Sequence, residues 1–267
     1  MPSPQADPPD WDPEQYGRFA DLRKRPALDL LCAVPPLPPG AVVDLGCGDG
    51  AVVDDLVSRH PDREIVGVDS SPAMLAAAKR RGAYRRLVEA DITDWFPDTP
   101  TALIFSNSVL HWIHDREALI AKLAGLLVPG GTLAVQMPDQ YGMPSHDLFV
   151  HLADEMFPGW FGPGDRNTIP SAMEYERMLA GLGRGSVWET TYLQRLGADG
   201  DGHPVLAFAS STALRPFLAR MTEGEARAFT ARYAEALEEA YPREADGTVI
   251  FPFRRRFFTL TVERRGR

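Results

Sequence analysis

The stretch VVDLGCGDG, Val42 to Gly50, constrains this chain more than any other. It reads as a short apolar strand that ends in an acid and runs directly into glycines. A helical pattern, AVVDDLVSRH, follows, and then a second strand, EIVGVD, which closes on Asp69. Strand, glycine turn, helix and acid-ended strand is the layout of a nucleoside-cofactor site in a doubly wound α/β fold. Gly46, Gly48 and Gly50 lack a Cβ, so the backbone there can turn tightly and approach a ligand. The helix N-terminus beyond them presents unpaired N–H groups. Asp69, about 20 residues past the glycines, is placed to accept hydrogen bonds from both hydroxyls of a ribose.

The alternation continues downstream. Ser70 or Ser71 with Pro72 makes an N-cap and first turn for PAMLAAAKRR. RLVEAD is a third strand ending at Asp91, and ALIFSNSVL a fourth that carries Asn107. A helix from about Asp115 to Leu127 stops before VPGG, a breaker expected to force a turn, and GTLAVQMP is the fifth strand. Short strands alternating with helices specify a parallel sheet buried on both faces. The regular alternation then stops. Residues 139–187 hold a Gly/Pro/aromatic stretch and one amphipathic helix, SAMEYERMLAGLG, before the strand-like WETTYLQRL. Residues 197–247 hold a helix near 204–220 and a second, EGEARAFTARYAEALEEAY, and TVIFPFRRRFFTLTVE is a last strand. The expected fold is α/β: a doubly wound, mostly parallel seven-stranded Rossmann-like sheet with helical insertions capping the site. In such a sheet the ligand lies outside the C-terminal ends of the strands. Asp44, Asp69, Asp91 and Asn107 all fall at those ends.

Composition narrows the partners. A net charge of −9 disfavours nucleic acid, which would need a basic surface to release counterions. No apolar run approaches the roughly 18 residues of a membrane span. The proline-rich, acidic start MPSPQADPPDWDPEQ lacks the apolar core of a secretory signal, and residues 1–10 read as a disordered tail. Cys32 and Cys47 suggest neither a disulfide framework nor a metal site. The expectations are a cytoplasmic protein, monomer or weak homodimer, with a small-molecule partner and neither metal, membrane nor nucleic acid.

The loop chemistry bears on the cofactor. A dinucleotide site has G-x-G-x-x-G, with the pyrophosphate on the helix N-terminus. Here the spacing is D-x-G-x-G-x-G, with Asp44 before the first glycine and Asp49 inside the loop. Two carboxylates would repel a pyrophosphate but suit a ligand carrying an ammonium or sulfonium. The loop also lacks the lysine of a nucleotide-triphosphate site.

The D-L-G-C-G-D-G loop, Asp69, A-D-I at 90–92 and S-N-S-V-L-H-W closely resemble class I S-adenosylmethionine-dependent methyltransferases. Further motifs resemble the trans-aconitate 2-methyltransferase family: D-W-D-P…Y…F…R-x-R-P (Asp10 to Pro26), V-D-S-S-P-A-M (Val68 to Met74) and L-A-V-Q-M-P-D (Leu133 to Asp139). T-T-Y (Thr190 to Tyr192), L-R-P (Leu214 to Pro216) and F-x-R-x-F (Phe253 to Phe257) extend the resemblance into the insertions and the C-terminus. Asp49 stands where many relatives have proline, and the FPGWFGPGDRN stretch departs from the pattern, so Arg166 takes no role by resemblance.

The resemblance implies a single methyltransferase domain over 11–267, with an N-terminal lid at 11–38 and cap insertions at 139–187 and 197–247. It implies S-adenosyl-L-methionine as cofactor and S-adenosyl-L-homocysteine as product. Asp44, Gly46 and Gly48 would lie by the methionyl part, Asp69 and Ser70 by the ribose, Asp91 and Ile92 by the adenine, and Asn107 by the methionine moiety. Trp11, Tyr16 and Arg23 would close over the cofactor, an arginine there pairing with its carboxylate. His111 and Trp112 would line the transfer site.

A carboxylate acceptor titrates near pH 4 and needs no general base, so the residues to seek are anchors for the carboxylates that do not react. Arginine suits this through its planar bidentate fork. Arg215, in the apolar stretch ALRPFLA, and Arg255 are the candidates, supported by His146 and Tyr192. In the run Arg254–Arg256 the middle member of a strand faces away from its neighbours. The implied reaction is methyl transfer to a carboxylate of trans-aconitate, a tricarboxylate, giving the monomethyl ester. The residues alone leave open another small acid, an amine or a hydroxyl as acceptor, and a protein that binds the cofactor without transfer.

Overall fold

The computed structural model describes residues 20–162, 168–197 and 202–263. The expectations on the tail, Trp11, Tyr16 and Arg166 lie outside these residues, as does the side chain of Arg23.

The first described element is α1 (Ala20–Ala33). The proline-rich linker after it is fixed by one side chain. Arg63 donates to the carbonyls of Leu37 (3.0 Å), Pro38 (2.7 Å) and Gly40 (2.9 Å), where prolines have removed the usual backbone donors. The alternating region runs β1 (Ala41–Leu45), α2 (Val53–Arg59), β2 (Ile65–Asp69), α3 (Pro72–Arg81), β3 (Arg86–Glu89) and β4 (Thr101–Asn107). It continues through a 3-10 turn (Leu110–Trp112), α4 (Arg116–Gly125) and β5 (Leu127–Pro138). Helix α3 begins where its sequence says it should, with Pro72 in the first turn and Ser71 Oγ accepting from Met74 N at 3.1 Å. It ends at Gly82, which is left-handed at φ 71°.

Beyond β5 come α5 (Pro144–Met156), α6 (Ala172–Leu179), β6 (Arg184–Leu196), α7 (Pro204–Ser210), α8 (Arg215–Leu218), α9 (Glu223–Ala240) and β7 (Val249–Thr261). The seven strands lie in the order β3-β2-β1-β4-β5-β7-β6. β1 pairs parallel with β2 and β4, β2 with β3, and β4 with β5, whereas β7 runs antiparallel to β5. The chain order reverses between β1 and β4, so the connections that follow these strands leave toward opposite faces of the sheet, which makes their C-terminal ends the switch point. Val42, Val43, Leu45, Val66, Val68, Leu103, Ile104 and Phe105 are buried on both faces of these strands. Such burial contributes about 1.5–3 kcal/mol per large aliphatic side chain and makes the strand ends rigid mounts.

Three local expectations are corrected. VPGG does not separate α4 from β5; it lies inside β5, where the pairing with β4 jumps from Thr101↔Leu127 to Leu103↔Thr132. The glycines stay in the strand because Gly130 N donates to Val262 O (2.9 Å) and Gly131 O accepts from Val262 N (3.0 Å). Helix α5 was not anticipated: it has Pro144 in the first turn but no side-chain cap on Met143. Its buried Phe149, Leu152 and Ala153 carried the signal. The single helix expected near 204–220 is two, α7 and α8, because Pro216 fits the first turn of a new helix and would break the interior of a long one.

The chain divides into two compact units, one built on 10–138, 170–190 and 255–267, the other taking in 139–169 and 191–254. The second is organised by aromatic side chains. Phe149 meets Tyr233 edge-on at 5.8 Å and Phe217 at 5.0 Å. Tyr233 donates to Ser145 O at 2.5 Å, and Ser145 N donates to the Tyr241 hydroxyl at 3.0 Å, so polar atoms of the α5–α9 contact are paired. Among the described residues, no helix is long and apolar enough to cross a membrane.

Candidate functional site

The β1 end turns on Gly46 (φ 74°) and Gly48 (φ 54°), both left-handed. The two glycines differ in their surroundings. A Cβ on Gly46 would lie 2.2 Å from a methyl of Val109, so the turn after β1 and the turn after β4 touch only because Gly46 has no side chain. A Cβ on Gly48 would meet nothing within 4 Å among the described residues. Gly46 N and Cys47 N both donate to Val68 O, at 2.7 and 2.9 Å, which ties the loop to β2.

Asp69 holds the loop from the other side. One carboxylate oxygen accepts from Gly48 N and the other from Ser71 N, each at 2.9 Å. A carboxylate has about four lone-pair sites, so two remain for ligand hydroxyls. Ser70 is exposed beside it. After β3, Asp91 Oδ1 accepts from Thr93 N (2.7 Å) and Thr93 Oγ1 (2.6 Å), and these bonds hold its carboxyl below the usual range. The neighbouring Ile92 side chain is buried, and its N–H meets no acceptor among the described residues. An N–H and a carboxylate side by side match the acceptor and donor edge of a purine.

Beneath the glycine loop lies a pairing that the sequence did not reveal. Asp44 is 1% exposed, and its Oδ2 accepts from the Tyr84 hydroxyl at 2.6 Å. The Tyr84 ring fills the space left by Gly50 and Gly67, whose added Cβ atoms would lie 3.0 and 2.9 Å from it. Burial pushes the Asp44 carboxyl up to about 7, with the Tyr84 hydrogen bond opposing and the Asp69 and Asp49 charges adding to the rise. Burial likewise raises the Cys47 thiol, whose Sγ lies 3.7 Å from Gly48 O. The expectation that Asp49 adds charge to the ligand side is corrected. Arg81 takes up that carboxylate at 2.8 Å and the Asp49 carbonyl at 2.7 Å.

The β4 end is built from donors. Gln136, fully buried on β5, donates through Nε2 to Asn107 Oδ1 and to Ser108 Oγ (3.3 Å), and accepts Arg255 Nη1 on Oε1 at 3.3 Å. Arg255, 3% exposed on β7, also donates to Ser108 Oγ at 3.3 Å. Arg255 thus comes to the same strand edge as Asn107. Arg256 is also buried, which departs from a strict inside–outside alternation, because it forms an ion pair with Glu189 (2.7 Å) and donates to Pro170 O (2.9 Å). His111 is buried against Trp112, ring centroids 4.6 Å apart. Arg116 fixes that turn through the Leu110 (3.0 Å) and His111 (2.7 Å) carbonyls.

The remaining expected residues belong to the other compact unit. His146, on α5, is buried between Tyr141 (5.0 Å) and Phe149 (5.2 Å), with Nδ1 3.2 Å from Ser145 Oγ. Tyr192 is half-buried on β6, and Arg215 is half-buried at the start of α8.

A family model described as Methyltransferase domain matches residues 43–135. The trans-aconitate 2-methyltransferase of Methylobacterium nodulans is 44% identical over 264 residues, covering 97% of this chain and 99% of the relative. That of Azoarcus sp. strain BH72 is 39% identical, covering 93% and 98%. The chain belongs to the trans-aconitate 2-methyltransferase family. In fold, this family member is similar to the YcgJ protein of Bacillus subtilis (TM-score 0.52, 16% identity, 96% of this chain and 100% of that one). It is also similar to phosphoethanolamine N-methyltransferase 2 of Haemonchus contortus (TM-score 0.51, 18% identity, 89% and 52%). Three residues of this family member that the sequence reading missed are Tyr84, Ser108 and Gln136. Tyr84 had no local signal, because the room that Gly50 and Gly67 leave for its ring exists only in the packed fold. Ser108 and Gln136 lie inside the motifs S-N-S-V-L-H-W and L-A-V-Q-M-P-D, but nothing local marks their pairing, which depends on strands distant in sequence.

Proposed function

We propose that this protein transfers a methyl group from S-adenosyl-L-methionine to one carboxylate of trans-aconitate, giving the monomethyl ester and S-adenosyl-L-homocysteine. The observation that carries the reading is family membership extending over nearly the whole chain, well beyond the cofactor core. Among the described residues, the strand ends fit the cofactor: two unused acceptor sites on Asp69, no neighbour over Gly48, and an Ile92 N–H without an acceptor beside Asp91. An ionisable carboxyl at Asp44 adds a preference for a cation.

When bound, the cofactor supplies an electrophilic methyl on a positively charged sulfur. A carboxylate acceptor, ionised at neutral pH, would take that methyl without giving up a proton and leave neutral S-adenosyl-L-homocysteine, so no base of this chain is required. In this reading Asp69 orients the ribose, Asp91 and Ile92 take the adenine edge, and the glycine loop with Asp44 favours the cationic end. Ser70 and Asn107 flank the same ligand, and His111 and Trp112 exclude water from the transfer point. Arg255 anchors a carboxylate that does not react. Positioning of this kind can supply up to about 7–11 kcal/mol of the barrier.

The test is incubation with methyl-labelled cofactor and trans-aconitate. A base-labile labelled ester, one per S-adenosyl-L-homocysteine formed, is expected. Its absence, with turnover of an amine or hydroxyl acceptor instead, would sink the reading.

A further inference from the structure

Ser108 has φ 62°, the one non-glycine residue in the left-handed region among those described. On backbone grounds the position suits glycine, and what serine adds is its hydroxyl. Both lone pairs of that oxygen are used, one by Gln136 Nε2 and one by Arg255 Nη1. Ser108 N donates to Gln136 O at 2.8 Å, so the backbone cannot swing to change this. The hydroxyl proton is left without an acceptor among the described residues. The side chain is half-buried, one residue from the Val109 methyls that touch the glycine turn. A serine that has received two N–H bonds, one of them from a guanidinium, can only donate, and the charge polarises its O–H.

We propose that Ser108 is a specificity-determining residue whose hydroxyl donates to a carboxylate oxygen of the acceptor. The proposal rests on the function above and deepens it. With no lone pair to offer and a cation behind it, this hydroxyl favours anionic acceptors and rejects amines. Gln136 then acts on specificity through Ser108, and Arg255 both through it and directly.

The test compares wild type, Ser108→Gly and Ser108→Asn with trans-aconitate at saturating cofactor, alongside thermal denaturation and cofactor binding. Glycine removes the hydroxyl and relieves the backbone, so it is expected to fold at least as stably as wild type. Its cofactor affinity should stay within about twofold. Its kcat/KM for trans-aconitate should fall about 10- to 100-fold, the range for losing a hydrogen bond to a charged group, with most of the change in KM. Asparagine tolerates the left-handed region and restores a donor, so it should recover part of the loss. A glycine variant with unchanged kcat/KM, or an asparagine variant no better than glycine, overturns the proposal. If wild type itself esterifies none of trans-aconitate, cis-aconitate, citrate and isocitrate, the functional reading falls and takes this inference with it. The wild-type arm therefore separates the two failures.

Discussion

The turns after β1 and after β4 flank one switch point but are held in opposite ways. The first rests on carboxylates: Asp69 receives two backbone N–H groups, and Asp44 lies buried beneath with Tyr84. The second rests on donors: Arg255 and the Gln136 amide converge on Ser108 and, through Gln136, on Asn107. Each turn contains a left-handed residue, supplied by glycine in one case and serine in the other. The difference teaches how a chain of net charge −9 can handle an anionic substrate. Charge is sorted locally: in the proposed function the acidic side serves the cationic cofactor and the donor side the acid.

The largest effect should come from joining the turns sterically. Gly46→Ala forces a side chain against Val109 and into the left-handed region, so unfolding free energy should drop by about 3–5 kcal/mol in urea titration. A drop under 1 kcal/mol would mean the turns are not in contact. The next effect breaks only the donor side. Arg255→Lys keeps a charge but loses the fork, and kcat/KM for trans-aconitate should fall about 10- to 100-fold with cofactor affinity within twofold. An equal loss of cofactor affinity would erase the distinction between the sides.

The acidic side should respond to pH. Asp44, raised by burial to about 7 in the folded, ligand-free protein, stays protonated well above the 3.8 of an unburied aspartate. Between those values the folded state binds more protons than the unfolded. The stabilisation from this group is therefore full below about pH 4 and declines as pH rises through 7. A cationic ligand favours the ionised form, so cofactor affinity should tighten by up to about tenfold per unit below pH 7 and level off above it. Calorimetry across pH 5.5–8 checks this, and Asp44→Asn should flatten the profile. The smallest effect is expected for Tyr84→Phe. Loss of the hydroxyl should weaken cofactor binding near neutral pH about two- to tenfold and move the Asp44 transition to higher pH.

Most of the acidic side was legible in the sequence because it is local. The glycine spacing, Asp69 and Asp91 sit at the ends of consecutive strands, and strand periodicity fixes those ends. The donor side was legible in Asn107, at the end of β4, and in Arg255. Its partners Ser108 and Gln136 come from strands more than a hundred residues earlier, and the antiparallel register of β5 with β7 decides the meeting. Asp44 was read as an acid near the ligand, yet its depth and its Tyr84 partner follow from packing, which no spacing encodes. VPGG misled for a similar reason. Two glycines and a proline ask for a turn, but the end of β7 supplies the hydrogen bonds that keep them in a strand.

Cys47 carries a consequence of its own. A cysteine at the tip of a cofactor loop would ordinarily expose that loop to alkylating agents and oxidants, since the thiolate is the reactive species. Here burial beside Asp44 keeps the sulfur as the thiol at neutral pH. Its chemistry can begin only when the loop lifts from β2. The rate of its labelling is therefore a clock for loop opening, carried by the native sequence. Cofactor that binds only the closed loop should slow that clock by a factor of 1 + [L]/Kd.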